Sequence, residues 1–243
     1  MSISLTGKTV LITGASRGIG RVTALTLAAD GAYVILSARS QDRLTQLAEQ
    51  IRTSGGKAVA VPADLADLQG IKTLVDYIRR EYGVLDVLIN NAGVAPAGPL
   101  ENTTTEMWDS CMAVNVRAPF ILCRELLGLL QRAQEGIIIN ISSVVGVKGY
   151  GNQVAYTSSK HALRGMSMAL AAELQPQGIR VHVICPGAVD TDMIRTVRPD
   201  IKADELIDPV EIAELIGYII THRGNGIIDE IHIRRRTSKP WFG

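Results

Sequence analysis

Ser143, Tyr156 and Lys160 fall within one short stretch of the chain, Ser-Val-Val-Gly-Val-Lys-Gly-Tyr-Gly-Asn-Gln-Val-Ala-Tyr-Thr-Ser-Ser-Lys. Tyr156 and Lys160 are four residues apart, so on a helix the phenol and the ammonium share one face. A free phenol, with a pKa of about 10, exchanges protons poorly near neutrality, and moving it by roughly 3 units takes about 4 kcal/mol. A unit positive charge about 4 Å away, at an effective dielectric of about 20, is worth that much. A tyrosine and a lysine at this spacing can therefore form a proton-exchange site. The same spacing also occurs on any ordinary helix surface, so the pair acquires meaning only from the elements that hold it.

Those elements are legible. The run Ile137-Ile138-Ile139-Asn140-Ile141 reads as a buried strand and residues 153–174 as a helix, which puts Ser143 at the carboxyl end of a strand, where ligands of open α/β sheets bind. Near the start of the chain, an apolar strand over residues 8–13 runs into Thr13-Gly14-Ala15-Ser16-Arg17-Gly18-Ile19-Gly20 and then a helix over 20–30. Strand, glycine loop and helix in this order are the setting of a dinucleotide fingerprint. Gly14 and Gly18 permit tight turns and Gly20 lets the helix start close to the strand, leaving amides and the positive helix end for a pyrophosphate; the alternative is a plain βα turn.

A second strand over 32–37 ends in Ala38-Arg39. An acidic residue near here would hold the adenosine ribose and mark NAD. Ala38 stands in its place, while Arg39 and the loop residue Arg17 offer two guanidinium groups to a 2′-phosphate, so the expected cofactor is NADP(H). Further on come an amphipathic helix over 41–53, a strand over 58–61 ending at Asp64, a helix over 67–81 and a strand over 85–89 ending in Asn90-Asn91-Ala92-Gly93. Asp64 reads either as an adenine contact or as a helix N-cap. Residues 104–132 are helical with an interruption near Pro119, and Asn115 is expected to be buried among Met112, Val116 and Phe120; an Asn inside a helix is unfavourable unless it has a partner. Residues 180–185 form a strand that ends in Pro186-Gly187-Ala188-Val189-Asp190-Thr191, residues 193–208 a mobile loop over the site, and 209–221 and 227–233 a last helix and strand. The basic tail from Arg234 to Lys239 reads as a solvated end or as a dock for an acidic partner.

Strands alternating with helices predict a parallel sheet with helices on both faces, a Rossmann-type doubly wound α/β fold in a single domain over residues 1–243. Gly14, Asp64, Asn91, Ser143 and Thr191 all follow strands and so share one edge of it. With 243 residues, 47% hydrophobic, and a net charge of +1, the chain gives no reason to invoke nucleic acid or an anionic membrane surface. Aromatics at 4% also disfavour a base-stacking surface. No apolar run approaches the ~20 residues of a membrane span. The first eight residues lack a signal-peptide pattern, and Cys111, Cys123 and Cys185 have no metal-ligand spacing. They fit a cytoplasmic protein with reduced thiols and no metal site. Small residues along 153–174 (Ala162, Gly165, Ser167, Ala169, Ala171, Ala172) suggest close helix packing and a homo-oligomer.

Taken together, Thr13 to Gly20, Asn90-Asn-Ala-Gly93, Asn115, Ser143, Tyr156-x-x-x-Lys160 and Pro186-Gly187 resemble the short-chain dehydrogenase/reductase family along almost the whole chain. The resemblance implies a catalytic set of Asn115, Ser143, Tyr156 and Lys160. Tyr156 would exchange the proton with the substrate oxygen, Ser143 orient that oxygen, Lys160 hold the nicotinamide ribose and lower the phenol's pKa, and Asn115 position a water in the proton relay. It also implies cofactor contacts from Gly14, Ser16, Arg17, Gly18, Ile19, Gly20, Arg39, Asp64, Asn91, Ala92, Gly93, Pro186 and Gly187, with Val189 and Thr191 on the nicotinamide carboxamide. Ile139-Asn-Ile-Ser-Ser-Val-Val-Gly146 and the Arg17 loop are most similar to ketoreductases of the 3-oxoacyl-(acyl-carrier-protein) reductase kind. Where many members carry a Val-Asp-Gly-Gly ending, this chain has Ile228-Asp-Glu-Ile-His-Ile-Arg234. The expected activity is interconversion of a small-molecule ketone and secondary alcohol; the alternatives are a non-catalytic NADP-binding sensor or scaffold, or an isomerase or dehydratase on the same fold.

Overall fold

The computed structural model describes residues 4–222 and 224–240. Its strands, β1 (Thr9–Thr13), β2 (Tyr33–Ser37), β3 (Lys57–Ala60), β4 (Val87–Asn90), β5 (Gly136–Ile141), β6 (Ile179–Pro186) and β7 (Glu230–Ile233), form one parallel sheet in the order β3-β2-β1-β4-β5-β6-β7. The helices are α1 (Gly18–Ala29), α2 (Gln41–Thr53), α3 (Leu68–Glu81), α4 (Thr105–Met112), α5 (Ala118–Leu130), α6 (Val154–Leu174), α7 (Asp192–Val197) and α8 (Pro209–Thr221). The chain begins mid-sheet, winds to one edge, returns beside β1 and winds to the other. This is the doubly wound arrangement expected, with its switch point between β1 and β4.

Strand alternation builds two cores. Val10, Ile12, Val34, Leu36, Val87 and Ile89 point to the face covered by α1, α2 and α8, while Leu11, Ile35 and Leu88 point to the face covered by α3 and α5. Because side chains are buried on both faces, the strands read as near-continuous apolar runs. Most element boundaries lie within two residues of those read from sequence. The last strand is the exception: it begins at Glu230, not 227, after the glycines Gly224 and Gly226.

The long helical stretch over 104–132 is interrupted, but the break centres on Asn115 rather than on Pro119. Ala113–Arg117 form a π-helical turn in which the Ala118 amide reaches back to the Ala113 carbonyl. Pro119, which sits in the first turn of α5, has no amide to give the Asn115 carbonyl four residues earlier, so the helix widens just before it. Residues 193–208 are likewise not the irregular loop expected. They contain α7, capped by Thr191, and a 3-10 turn at Ala203–Glu205, and Val189 pairs with Ile207 in an isolated β-bridge.

Between β4, β5 and α6 runs a chain of buried polar groups: Asn90 Nδ2 donates to Asn140 Oδ1 at 2.8 Å, and Asn140 Nδ2 donates to Ser167 Oγ at 2.9 Å. Ser167 in turn donates to the Leu163 carbonyl. This network locks α6 against the strand that leads to Ser143. Asn140→Ala leaves Asn90 short of its acceptor and opens a cavity, and is expected to lower stability by about 2–4 kcal/mol; the shift in denaturant midpoint at unchanged slope measures it.

Candidate active site

A cavity of about 970 Å³ runs along the carboxyl edge of the sheet. The glycine loop forms one wall. Gly14 and Gly18 have φ of 66° and 54°, and a Cβ would stand 2.8 Å from Ala92 Cα at Gly14 and 2.9 Å from Thr191 Cγ2 at Gly18. Both positions therefore need glycine for conformation and for space. Thr13 pins this wall to the next: its hydroxyl accepts the amides of Asn91 and Ala92, while Asn91 Nδ2 donates to the carbonyls of Thr13 (2.9 Å) and Gly14 (3.3 Å).

At the far end of the cavity stand Arg39, in the β2–α2 turn, and Arg43, in the first turn of α2, neither with a carboxylate partner among the described residues, and Arg17 approaches Asp192 at 3.6 Å. Ala38 is buried at the end of β2, so no acid faces them there. Asp64 lines the same end; its carboxylate accepts the Ala66 amide, and the N-cap of α3 is Asp67, which accepts the Gly70 amide. The capping alternative for Asp64 thus falls to its neighbour.

In the middle of the cavity stand Ser143, Tyr156 and Lys160. Ser143 leaves β5 and accepts the Val145 amide while donating to the Pro186 carbonyl, each at 3.3 Å. Its hydroxyl favours the ionised form of the Tyr156 phenol in the same cavity. The Lys160 ammonium donates to the Ile141 carbonyl at 2.7 Å and lies 5.8 Å from the centre of the Tyr156 ring. Ser142 donates to the Lys160 carbonyl, tying α6 to the strand end. Gly93 keeps the space before the ammonium open, since a Cβ there would meet Lys160 Nζ at 3.6 Å and Asn115 Oδ1 at 3.4 Å.

The profile of the short chain dehydrogenase family matches residues 8–202. The chain belongs to this family. It is 34% identical over 236 residues to the 3-oxoacyl-[acyl-carrier-protein] reductase FabG of Escherichia coli, a match covering 93% of this chain and 96% of that one. It is 36% identical over 192 residues to the uncharacterized oxidoreductase YxjF of Bacillus subtilis, covering 79% and 75%. Among solved structures, the Pseudomonas aeruginosa RhlG/NADP active-site complex superposes with a TM-score of 0.86 at 33% identity, covering 95% of each chain.

Of the residues singled out from sequence, Gly14, Ser16, Arg17, Gly18, Ile19, Arg39, Asp64, Asn91, Ala92, Gly93, Ser143, Tyr156, Lys160, Pro186, Gly187, Val189 and Thr191 all line this one cavity. Gly20 and Asn115 do not. Gly20 lies inside the first turn of α1, which begins at Gly18, and a Cβ there would collide with Asn91 Nδ2 and the Gly14 carbonyl. Asn115 is fully buried, yet Phe120 beside it is 46% exposed, so the surroundings expected for it are corrected. Its side chain has its partners: Oδ1 accepts the Val94 amide, and Nδ2 donates to the Val94 carbonyl and Ser159 Oγ, each at 2.9 Å. The small residues of α6 also divide: Ser167 is buried against the sheet, whereas Gly165, Ala169 and Ala172 form an exposed stripe beside Met168.

The expected lowering of the tyrosine pKa is not found. Burial pushes the Tyr156 phenol up to about 12, outweighing the Ser143 hydrogen bond, and burial lowers the Lys160 ammonium to about 8. The cause is desolvation, which opposes the charged form of each. The ammonium itself is bonded to the Ile141 carbonyl. Sequence reasoning missed Arg43, four residues beyond Arg39 in the first turn of α2, and Lys148, Tyr150 and the tail, which no local pattern assigns to the cavity, whereas Arg198 comes from the segment 193–208 expected over the site.

A lysine whose folded pKa lies below its unfolded value of 10.5 destabilises the fold wherever both states are protonated, that is below pH 8. Lys160→Met removes a penalty on the order of 3 kcal/mol, partly offset by the lost bond to Ile141. The cofactor-free variant is expected to melt a few degrees above wild type at pH 7, with the gap narrowing as pH rises from 8 towards 10.5. Thermal melts at pH 7 and 9.5 check this, and a lower melting temperature at pH 7 would contradict it.

Proposed function

We propose that the protein is an NADP(H)-dependent oxidoreductase that interconverts a carbonyl and a secondary alcohol, with Tyr156 as the acid/base. The observation that carries this reading is the convergence of Ser143, Tyr156 and Lys160 on one cavity with a glycine cradle flanked by guanidinium groups. The residues present fit the cofactor: a Cβ would fill the cradle at Gly14 and Gly18, and Arg39 and Arg43, without a carboxylate partner among the described residues, stand where Ala38 offers no acid to a ribose. When bound, the nicotinamide supplies or accepts the hydride.

The protein's own residues handle binding, orientation and the proton. The glycine-loop amides and the start of α1 receive the pyrophosphate, and Arg17, Arg39 and Arg43 the 2′-phosphate. Lys160, held by Ile141 and facing the space kept by Gly93, donates to the ribose hydroxyls. The Ser143 and Tyr156 hydroxyls meet at the carbonyl oxygen. A phenol held at about 12 is protonated at neutral pH, so Tyr156 is ready to donate to a developing alkoxide, which suits reduction. The Asn115 carbonyl, to which Pro119 has no amide to offer, holds the water that returns the proton. The likeness to the Escherichia coli 3-oxoacyl-[acyl-carrier-protein] reductase supports 3-oxoacyl or related ketones as substrates.

Tyr156→Phe keeps the ring and removes the proton path. It is expected to lower kcat by about 10²- to 10⁴-fold while leaving the NADPH Kd near the wild-type value, as followed by NADPH absorbance on accepted ketones and by cofactor fluorescence. Equal turnover by wild type and variant would sink the acid/base assignment.

The arginines make a separate claim. Charge-assisted hydrogen bonds to a phosphate are worth about 1.5–3 kcal/mol each, so Arg39→Asp is expected to reduce the NADPH over NADH preference by about tenfold or more. Titrating both nucleotides measures the ratio, and an unchanged ratio would overturn the assignment.

A further inference from the structure

The basic tail is neither a free end nor remote from the chemistry. The Gly187 amide donates to the Ile233 carbonyl at 2.7 Å, and a Cβ at Gly187 would stand 3.6 Å from Arg234 Cα, so the tail starts against the Pro186-Gly187 wall on which Ser143 also bonds. From there it folds back. Arg234 Nη1 donates to the carbonyls of Arg235, Arg236 and Ser238, and Arg235 and Thr237 both bond the Glu205 carboxylate of the segment beyond α7. Arg234, Arg235, Ser238 and Lys239 thereby become part of the cavity wall, with Lys148 on another part of it.

Among the described residues the charge of this wall is uncompensated. The acids among the described residues lining the cavity are Asp64 and Asp192. The first is bonded to the Ala66 amide and the second faces Arg17. Arg198 and Arg235 have carboxylate partners, Asp200 and Glu205. Among the described residues Lys148, Arg234 and Lys239 have none: Lys148 lies 5.2 Å over the Tyr150 ring, and Arg234 commits one nitrogen of its guanidinium to main-chain carbonyls. A chain of net charge +1 has no general excess of cations to account for this. A cavity walled by unpaired cations favours an anion, and the 2′-phosphate of the cofactor is already served by Arg17, Arg39 and Arg43 from the opposite end.

Resting on the reductase reading above, we propose that the substrate is a small carbonyl compound bearing a carboxylate or phosphate, and that Arg234 and Lys239 of the folded-back tail, with Lys148, bind that anion. The tail then sets specificity and takes no part in the proton transfer.

The test compares matched pairs in the NADPH-dependent reduction: 4-oxopentanoate against its methyl ester, 3-oxobutanoate against its methyl ester, and dihydroxyacetone phosphate against dihydroxyacetone. The carboxylate and phosphate pairs separate the two anion sources. We expect kcat/KM for the anionic member of at least one pair to exceed its neutral counterpart by about tenfold or more, and the excess to shrink with added salt. In Arg234→Gln and Lys239→Gln the preference is expected to fall through a higher KM for the anion, with the NADPH Kd moving less than twofold. Equal or better use of the neutral members overturns the proposal, as does a strong preference for a 3-oxoacyl group carried on acyl carrier protein, or a loss of NADPH affinity in the variants that matches the loss of substrate affinity. If neither member of any pair is reduced, the reductase reading fails separately. Quenching of bound NADPH fluorescence by the same compounds then still decides the anion site: tighter binding of the acids, lost in the two variants, supports it, and no difference overturns it.

Discussion

Taking an ammonium group out of water costs several kcal/mol unless neighbours replace its hydration. Lys160 is 3% exposed, and the protein gives it the Ile141 carbonyl and an open cavity mouth bounded by Gly93. Much of the surrounding architecture follows from holding that charge in place. The end of β5 supplies the carbonyl, and Ser142 fastens the lysine's own main chain to the same strand end. Gly146 lets the turn after β5 close over α6, since a Cβ there would stand 2.8 Å from the Lys160 carbonyl. The Asn90, Asn140 and Ser167 chain then fixes the angle of α6 against the sheet. On the proposed reductase reading, a charge that lowers the stability of the empty fold is what a site for ribose hydroxyls and a developing alkoxide requires.

The same logic explains the polar groups buried nearby. Asn115, Ser159 and Cys111 form a cluster under the cavity floor, in which Asn115 carries the Val94 backbone and Ser159 bonds both Asn115 and the Tyr156 carbonyl. Each group holds a piece of backbone that a cofactor or substrate must pass closely. The Cys111 and Cys185 thiols are pushed up by burial and stay neutral, so Lys160 is the buried charge of this region. Glu230, paired with Arg164 through two hydrogen bonds, is held well below the usual carboxylate range and anchors α6 to β7, the strand from which the tail departs.

Much of this was legible because it is local. The glycine pattern after β1 reports backbone conformations that few other residues tolerate, and the apolar runs report strands buried on both faces. Ala38 with Arg39 is a local statement about charge at a strand end. The break in the long helix was also visible, although its position was not: Pro119 acts on a carbonyl four residues upstream, so the distortion precedes the proline.

The sequence by itself determined the order of strands and helices, the edge on which the functional residues gather and the type of each reacting group, since these follow from periodicity, from glycine conformation and from side-chain chemistry. Tertiary structure alone decided how those groups are tuned and what else joins them. Whether Lys160 depresses the tyrosine depends on a few ångströms of offset and on how much water burial removes, and neither is encoded by a spacing of four. That Asp67 and not Asp64 caps α3, that the side chain of Asn115 is spent on Val94 and Ser159, and that residues over 193–208 are folded around Thr191 are outcomes of competition for partners distant in sequence. The basic tail is the clearest case. Its composition was plain, but its place in the cavity wall rests on Gly187, which admits it, and on Glu205, which ties it down, and both are contacts across the fold that no local pattern records.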